Sequence, residues 1–329
     1  MAKPRALGSD SVTLICAEAV EGTAPDGAGG GVYTMPALVS NGLDGSQPLE
    51  ADPLINTGNP DDSDPSAGSF DTSGDLVAPL DARGAGFWMT MAFGVEAPDP
   101  THDVDAGTYL HTWQSGKDLK SYTIQRGYPK LTTPKWRTAL GAKAGGFNFP
   151  LARNGRVKAT LGVVARSSAK DNAGARDAAP LTFARRPFDN ASAGIKIGGT
   201  PFGNVTGAQF NYSNGLDTPP SIRADNFIDG TDETIRTLTG TIDIRIGTDH
   251  TIDDLLDAEG SAAMEFAFAL KAAPTWVLKF TMPRVFFERP KEPISGPGGI
   301  QATVNWRAAH DTDAGYMLQA TLLNDVAAY

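Results

Sequence analysis

The chain is expected to be mainly β, built as two tandem β-sandwich or partial-barrel units, each with one short flanking α-helix. Three observations predict this. Gly and Pro are abundant, 37 and 23 among 329 residues, which favours many tight turns over a helical bundle. Several stretches alternate apolar and polar residues at period two, the mark of a half-buried strand. The sequence also repeats itself: "SNGLDGSQPLEADPLI" from Ser40 and "SNGLDTPPSIRADNFI" from Ser213 open alike.

The repeat continues in order along the chain. Ala51, Asp52 and Ile55 answer to Ala224, Asp225 and Ile228. An offset of 166 then relates Gly74 to Gly240, Leu76 to Ile242 and Gly94 to Gly260. "GRVKATLGVVAR" from Gly155 resembles "GGIQATVNWRAA" from Gly298, pairing Val157 with Ile300 and Ala159-Thr160 with Ala302-Thr303. A period this long lies far above that of solenoid units and reads as domain duplication. The expected organisation is an N-terminal arm over 1–35, a first β unit over 36–166, a linker over 167–206 and a second β unit over 207–329.

The individual elements follow from local pattern. "LTGTIDIRIG" sets Ile242, Ile244 and Ile246 against Thr239, Thr241, Asp243 and Arg245. "GGIQATVNWRA" sets Ile300, Ala302, Val304 and Trp306 against Gln301, Thr303, Asn305 and Arg307. Val157, Ala159, Leu161 and Val163 form the matching apolar stripe of the first unit. "MEFAFAL" and "WVLKFTMPRVFF" flank the turn-forming "KAAPT" and read as a hairpin. One short helix is expected per unit. "TIDDLLDAEG" starts at a Thr251 cap with Asp254 three places on and stops at Gly260. "AGFWMTMAFG" is its counterpart, and Phe87, Trp88, Met91 and Phe93 require it to be the more buried of the two. Residues 1–35, 56–69 and 167–206 read as arms or loops; segments of that length are functional or order on binding.

Charge narrows the class. The net charge of −10 opposes tight binding to nucleic acid, whose phosphates would meet a repelling field. Its distribution is lopsided. Thirteen acids face one base, Arg83, between Asp44 and Asp105, and fifteen bases face three acids between Lys117 and Arg186. The two runs pair either inside one chain or between molecules. The single cysteine, Cys16, excludes an internal disulfide framework. No stretch approaches the roughly 20 apolar residues of a membrane-spanning helix. The first twenty residues lack the apolar core of a signal peptide, so folding in a reducing cytoplasm is expected.

The search for chemistry yields nothing. His102, His111, His250 and His310 are scattered without ligand spacing. There is no G-x-S-x-G, H-E-x-x-H or P-loop, and "GAGGGV" at Gly27 has no strand before it or helix after it. Asp61-Asp62-Asp64 and Asp99-Asp103-Asp105 lack the EF-hand spacing for calcium. No catalytic residue, metal or cofactor is assigned.

The residues do resemble one family: the tail tube (major tail) proteins of long-tailed bacteriophages, of the duplicated type near 300 residues. The likeness covers most of the chain. It begins with "EAVEGTAP…VYTMPAL" and continues through "GDLVAPLDARGAGFWMTMAFG" and "SYTIQRGYPK…GAKAGGFNFPLARNGRVKATLGVVAR". It is strongest in "TMPRVFFERPKEPISGPGGIQATVNWRAAHDTDAGYMLQATLLND". The resemblance implies tail-tube-type units that complete a large β-barrel on oligomerisation, with no enzymatic activity. Six units make a ring, so a duplicated chain needs three copies, and stacked rings form a virion tube that conducts double-stranded DNA. Implied partners are further copies of the chain, a tape measure protein and the tail terminator and distal tail proteins, with no membrane.

Within that picture the strand faces most suited to lining a channel carry Thr241, Asp243, Gln301, Thr303, Asn305, Lys158 and Thr160. Polar or acidic faces let a polyanion slide, whereas basic ones would hold it. Candidate contacts between rings or subunits are Asp61, Asp62 and Asp64 against Arg153, Arg156, Arg185 and Arg186. The alternative reading is a two-sandwich carbohydrate-binding or adhesin module, which a surface aromatic cluster would favour.

Overall fold

The computed structural model describes residues 3–26, 32–52, 61–97, 99–219, 221–247, 251–257, 260–292, 294 and 296–329. The first half runs β1 (Val12–Ala17), β2 (Ser40–Asn41), β3 (Asp44–Ser46), β4 (Leu49–Glu50), β5 (Ser66–Ala67), β6 (Asp71–Pro79) and α1 (Ala85–Phe93). It continues with β7 (Thr101–Asp103), β8 (Thr108–Gln114), β9 (Tyr122–Tyr128), β10 (Lys135–Ala152), β11 (Lys158–Ala165) and β12 (Ser167–Asp171). The second half opens with β13 (Ala193–Ile197), β14 (Thr200–Pro201), β15 (Val205–Ser213), β16 (Leu216–Asp217), β17 (Asp232–Glu233) and β18 (Thr237–Arg245). Then come α2 (Thr251–Asp257), β19 (Ala262–Leu270), β20 (Ala273–Phe287), β21 (Gln301–Ala308) and β22 (Gln319–Asn324). The protein is mainly β, as expected.

The strands form a sandwich. One layer is a single antiparallel sheet in the order β2/β3–β6–β11–β10–β15–β18–β21–β20. The facing layer is split into β1–β9–β10–β12 and β13–β19–β20–β22–β8–β7. β10 and β20 belong to both layers. β10 leaves one sheet and enters the other across register shifts at Ala139/Ala142 and Ala144/Gly146, the usual way a strand turns a corner. The ladder is open: among the described residues no pairing joins its two ends, β2/β3 and β20.

Aromatic rings fill the space between the layers. Phe149 of β10 stacks on Phe210 of β15 at 4.7 Å, and both lie 5.2 Å from Phe280 of β20. Phe147, Phe266 and Phe268 complete the cluster, all six rings being almost wholly buried. At roughly 1.5–3 kcal/mol per buried ring, this cluster dominates the cohesion of the sandwich. Helix α1 is apolar nearly all round and buries Trp88, Met89, Met91, Ala92 and Phe93. It ends where Gly94 takes φ +88° and donates to the Thr90 carbonyl. Helix α2 buries Ile252 but leaves Asp254 exposed, so the expected difference between the helices holds.

Two ladders share one register. In β6–β11, Gly74 faces Val163 and Leu76 faces Leu161. In β18–β21, Gly240 faces Trp306 and Ile242 faces Val304. The sequence offsets that carry Gly74 to Gly240 and Val157 to Ile300 map the first ladder onto the second. The shared openings do not map this way. Ser213 faces Thr237, whereas the residue that faces Asp71, 166 places before Thr237, is Ser46 and not Ser40. Leu216-Asp217 pairs with Glu233-Asp232 in a separate ribbon, while Leu43-Asp44 runs beside β6.

Segments read from the sequence as arm and linker also supply strands. β1 lies within 1–35 and buries Leu14, Ile15 and Cys16; β12, β13 and β14 lie within 167–206. Each is short, and β1 and β13 pair with β9 and β19, strands distant in the chain, so local pattern gave little signal. The "GAGGGV" segment from Gly27 to Gly31, residues 56–60 and His250 lie outside the described residues.

Candidate functional site

The long sheet has two unlike faces. Its inner face carries Leu76, Ala78, Leu161, Phe147, Phe210, Ile242 and Val304, all buried. Its outer face is polar from β11 to β21, and gives way to Val77 of β6 opposite Thr160 and to Phe286 of β20 opposite Arg307 at the two ends. One cross-strand row reads Thr160–Asn148–Asn211–Thr239–Arg307. The next reads Pro150–Gln209–Thr241–Asn305, and a third Gly207–Asp243–Thr303. Lys158 sits opposite Pro79, and Arg245 opposite Gln301. Thr241, Asp243, Gln301, Thr303, Asn305, Lys158 and Thr160 therefore share one surface. Period-two alternation on each strand and the common register across strands bring them together.

Hydrogen bonds hold part of this surface in place. Thr303 Oγ1 donates to Asp243 Oδ1 at 2.6 Å, and Asn305 Nδ2 donates to Glu288 Oε2 at 2.8 Å. Thr206 Oγ1 donates to the Asp243 carbonyl at 3.2 Å. Charges are sparse and of both signs: Asp75, Lys158, Asp243, Arg245 and Arg307 stand among hydroxyls and amides. Sequence reasoning missed Asn148, Gln209 and Asn211 on the same face. Their signal was the alternation of "FNFP" and "AQFNYS", legible once β10 and β15 are known to be neighbours.

The four candidate contact arginines fall at one end of the molecule. Arg156 bridges Asp189 along the backbone, Asp81 bridges Pro187, and the Arg186 carbonyl accepts from Ala82 N–H at 2.8 Å. This carries 153–157 and 185–189 alongside each other, and all four arginine side chains are exposed. Beside them Arg83 clasps Asp325, and this pairing holds the Asp325 carboxyl below the usual carboxylate range, helped by the charge of Arg186. Asp61, Asp62 and Asp64 are exposed in the β4–β5 connection. Asp62 and Asp64 form no ion pair with those arginines.

Among the described residues neither histidines nor cysteine build a reactive centre. His111 is buried with Nδ1 2.8 Å from Glu96 Oε2 and Nε2 2.8 Å from the Val326 carbonyl oxygen. His102 stacks on Tyr109 at 4.2 Å. Cys16 is buried, and burial pushes its thiol up, the opposite of a reactive thiolate. Burial likewise lifts the Tyr33 hydroxyl to about 12. Among the described residues no group of three His, Cys, Asp or Glu is arranged to hold a metal. Trp88, Trp113 and Trp306 are in the core, and Phe286 is the one aromatic among the exposed large apolar side chains.

Fold and surface together define a class: a mainly β sandwich whose long sheet is apolar within and largely polar without. The family model for phage tail tube proteins matches residues 8–308, and the chain belongs to that family. It is a structural protein of the phage tail tube. No curated protein matches it.

Proposed function

We propose that three copies of this chain close into a ring, that rings stack into a tube, and that DNA passes through it along the polar sheet face. One observation carries the reading: the ladder of eight positions is polar on its outer face from β11 to β21, and among the described residues it ends at β2/β3 on one side and, on the other, at Gln301–Val304 of β21, which no strand pairs beyond β18. An open sheet edge is a template for further pairing. At one end β21 outruns its partner, because β20 stops at Phe287 and the chain turns off at Pro290. At the other end β2/β3 lies outermost. Pairing the two between neighbours would leave no free edge in the ring.

The count fits a channel. Eight positions from each of three chains give about 24 strands, and at ~4.8 Å spacing and ~40° tilt the backbone ring is roughly 48 Å across. Side chains of about 5 Å on each side leave roughly 38 Å, ample for a duplex about 20 Å wide. Hydroxyl, amide and acidic linings would let the polyanion move without the counterion release that makes basic surfaces bind it.

The matched registers of β6–β11 and β18–β21 support duplication and thus a pseudo-sixfold ring. In this reading the first unit extends from β1 through β12 and the second from β13 through β22, wider than 36–166 and 207–329. Asp61, Asp62 and Asp64 on one side, and Arg153, Arg156, Arg185 and Arg186 on the other, are candidate contacts between copies. Complementary charge sets orientation and encounter rate more than affinity. A tape measure protein inside the tube, terminator and distal tail proteins at its ends, assembly in the host cytoplasm and the absence of enzymatic activity complete the proposal.

Labelling tests the lining. Asn211→Cys places a thiol on the polar face, against a buried Cys16 that gives little background. In assembled tubes a thiol reagent carrying a globular protein wider than the roughly 38 Å bore should fail to modify it, while dissociated protein reacts. Equal labelling in tubes would put this face outside and end the channel assignment.

A further inference from the structure

We propose that the cation row Arg126–Arg137–Lys170, exposed at Arg137 and Lys170, is the docking surface for the acidic β7–β8 hairpin tip of a second copy of this chain. This rests on the self-assembling tube reading and names the contact that would join copies beyond the sheet edges.

The row is set by register. Arg137 of β10 lies directly opposite Arg126 of β9 on one side and Lys170 of β12 on the other. All three side chains therefore leave the same face, and Lys135, opposite Tyr128, joins them one step further along. Like charges directly opposite each other destabilise a sheet. Among the described residues only the rim carboxylate of Asp44 answers them, pairing with Arg126 at 2.8 Å. Among the described residues Lys135, Arg137 and Lys170 form no ion pair, and all three are exposed.

The row is not a general feature of such strands. It lies one step beyond the buried row Ile15–Ile124–Ala139–Ser168. In the β19–β20 hairpin, the third pair from the turn is Phe268 with Leu278, buried and flanked by Leu322. In the β9–β10 hairpin that place is held by Arg126 with Arg137, flanked by Lys170. The surface there is a groove of about 730 Å³ bordered by Tyr128 and Pro134 as well as the cations, and by Asp171, whose carboxylate is taken up by Arg176. It offers an apolar wall beside concentrated positive charge.

The β7–β8 tip has the complementary make-up. Asp103, Val104 and Asp105 are exposed, Val104 at 77%. Asp103 Oδ1 accepts from the N–H groups of Asp105 and Ala106 at 3.1 Å, which stiffens the turn. The Asp311–Asp313 turn has the same hydrogen bonds, but its Asp311 is half-buried and Thr312 stands where the β7–β8 tip has Val104, while Asp257 of α2 pairs with Arg289. Row and tip lie on different sheets and form no ion pair with each other. A surface and its complement on one chain that form no pair with each other generate head-to-tail repetition, closed or open according to the rotation between copies.

Charge swapping tests this with wild-type tubes as reference. R137E/K170E and D103K/D105K should each raise the critical concentration for tube formation about tenfold or more, with unchanged far-ultraviolet circular dichroism. An equimolar mixture of the two variants should regain assembly, because each supplies the partner the other lacks. The wild-type critical concentration should also rise with salt. Wild-type tubes with unaffected variants, or impaired variants that the mixture does not rescue, would overturn this contact and leave the tube reading standing. Wild-type protein that stays monomeric at every concentration would overturn both.

Discussion

Asn214 spends one side-chain amide on two buried carbonyls, Ala92 of α1 and Ala144 of β10, each at 2.9 Å. It fastens the last turn of the helix to the corner of the long strand. Asn214→Ala strands both acceptors without water and should lower stability by about 2 kcal/mol, read as an earlier midpoint in urea. The carboxylates make a second prediction at this scale. Asp325 is held low by Arg83, and Asp171, despite the opposing effect of burial, by Ala173 N–H, Thr138 and Arg176. A depressed carboxyl stabilises the fold above its unfolded value of about 3.9 and loses that contribution as pH falls through and below it. Stability should therefore decline between about pH 5 and 3, and Asp325→Asn should decline less steeply over that interval in pH-dependent thermal unfolding.

At the scale of elements, the two glycines that the sequence offset pairs meet the same obstacle. A Cβ on Gly74 would lie 2.2 Å from the Gly42 carbonyl oxygen, and one on Gly240 2.0 Å from that of Gln209 and 2.4 Å from the Trp306 ring. Each backs onto the neighbouring strand on its own side of the ladder. Gly240→Ala should cost about 3 kcal/mol through overpacking, whereas Gly194→Ala, with nothing within 4 Å of the added carbon, should be near neutral; paired denaturation curves decide. Much of this layer was legible in the sequence. β11, β18 and β21 alternate strictly, and α1 and α2 announce themselves by their glycine stops. β1 and β13 did not, because each is short and takes its meaning from a partner far along the chain. The twin openings at Ser40 and Ser213 misled for a related reason: identical residues can sit in different local frames when the sheet register, not the sequence, fixes correspondence.

For the molecule as a whole, the polar face could be anticipated residue by residue but not as one surface. Alternation tells which side chains share a side of a strand; only strand order places Lys158, Thr160, Thr241 and Thr303 on one surface. The charge runs behave likewise. Their imbalance was visible, and the structure satisfies part of it within the chain, as at Arg126 with Asp44, while leaving Arg137, Lys170 and the arginines near 153–156 and 185–186 exposed. The most direct measurement of the central claim is the symmetry and mass of the assembled ring, by end-on electron microscopy with mass per ring. The account predicts a hollow ring of three chains of 34.5 kDa each, with six similar lobes around a bore wide enough for a duplex. A solid particle without a central hole, or a ring whose mass is not that of three chains, would contradict it.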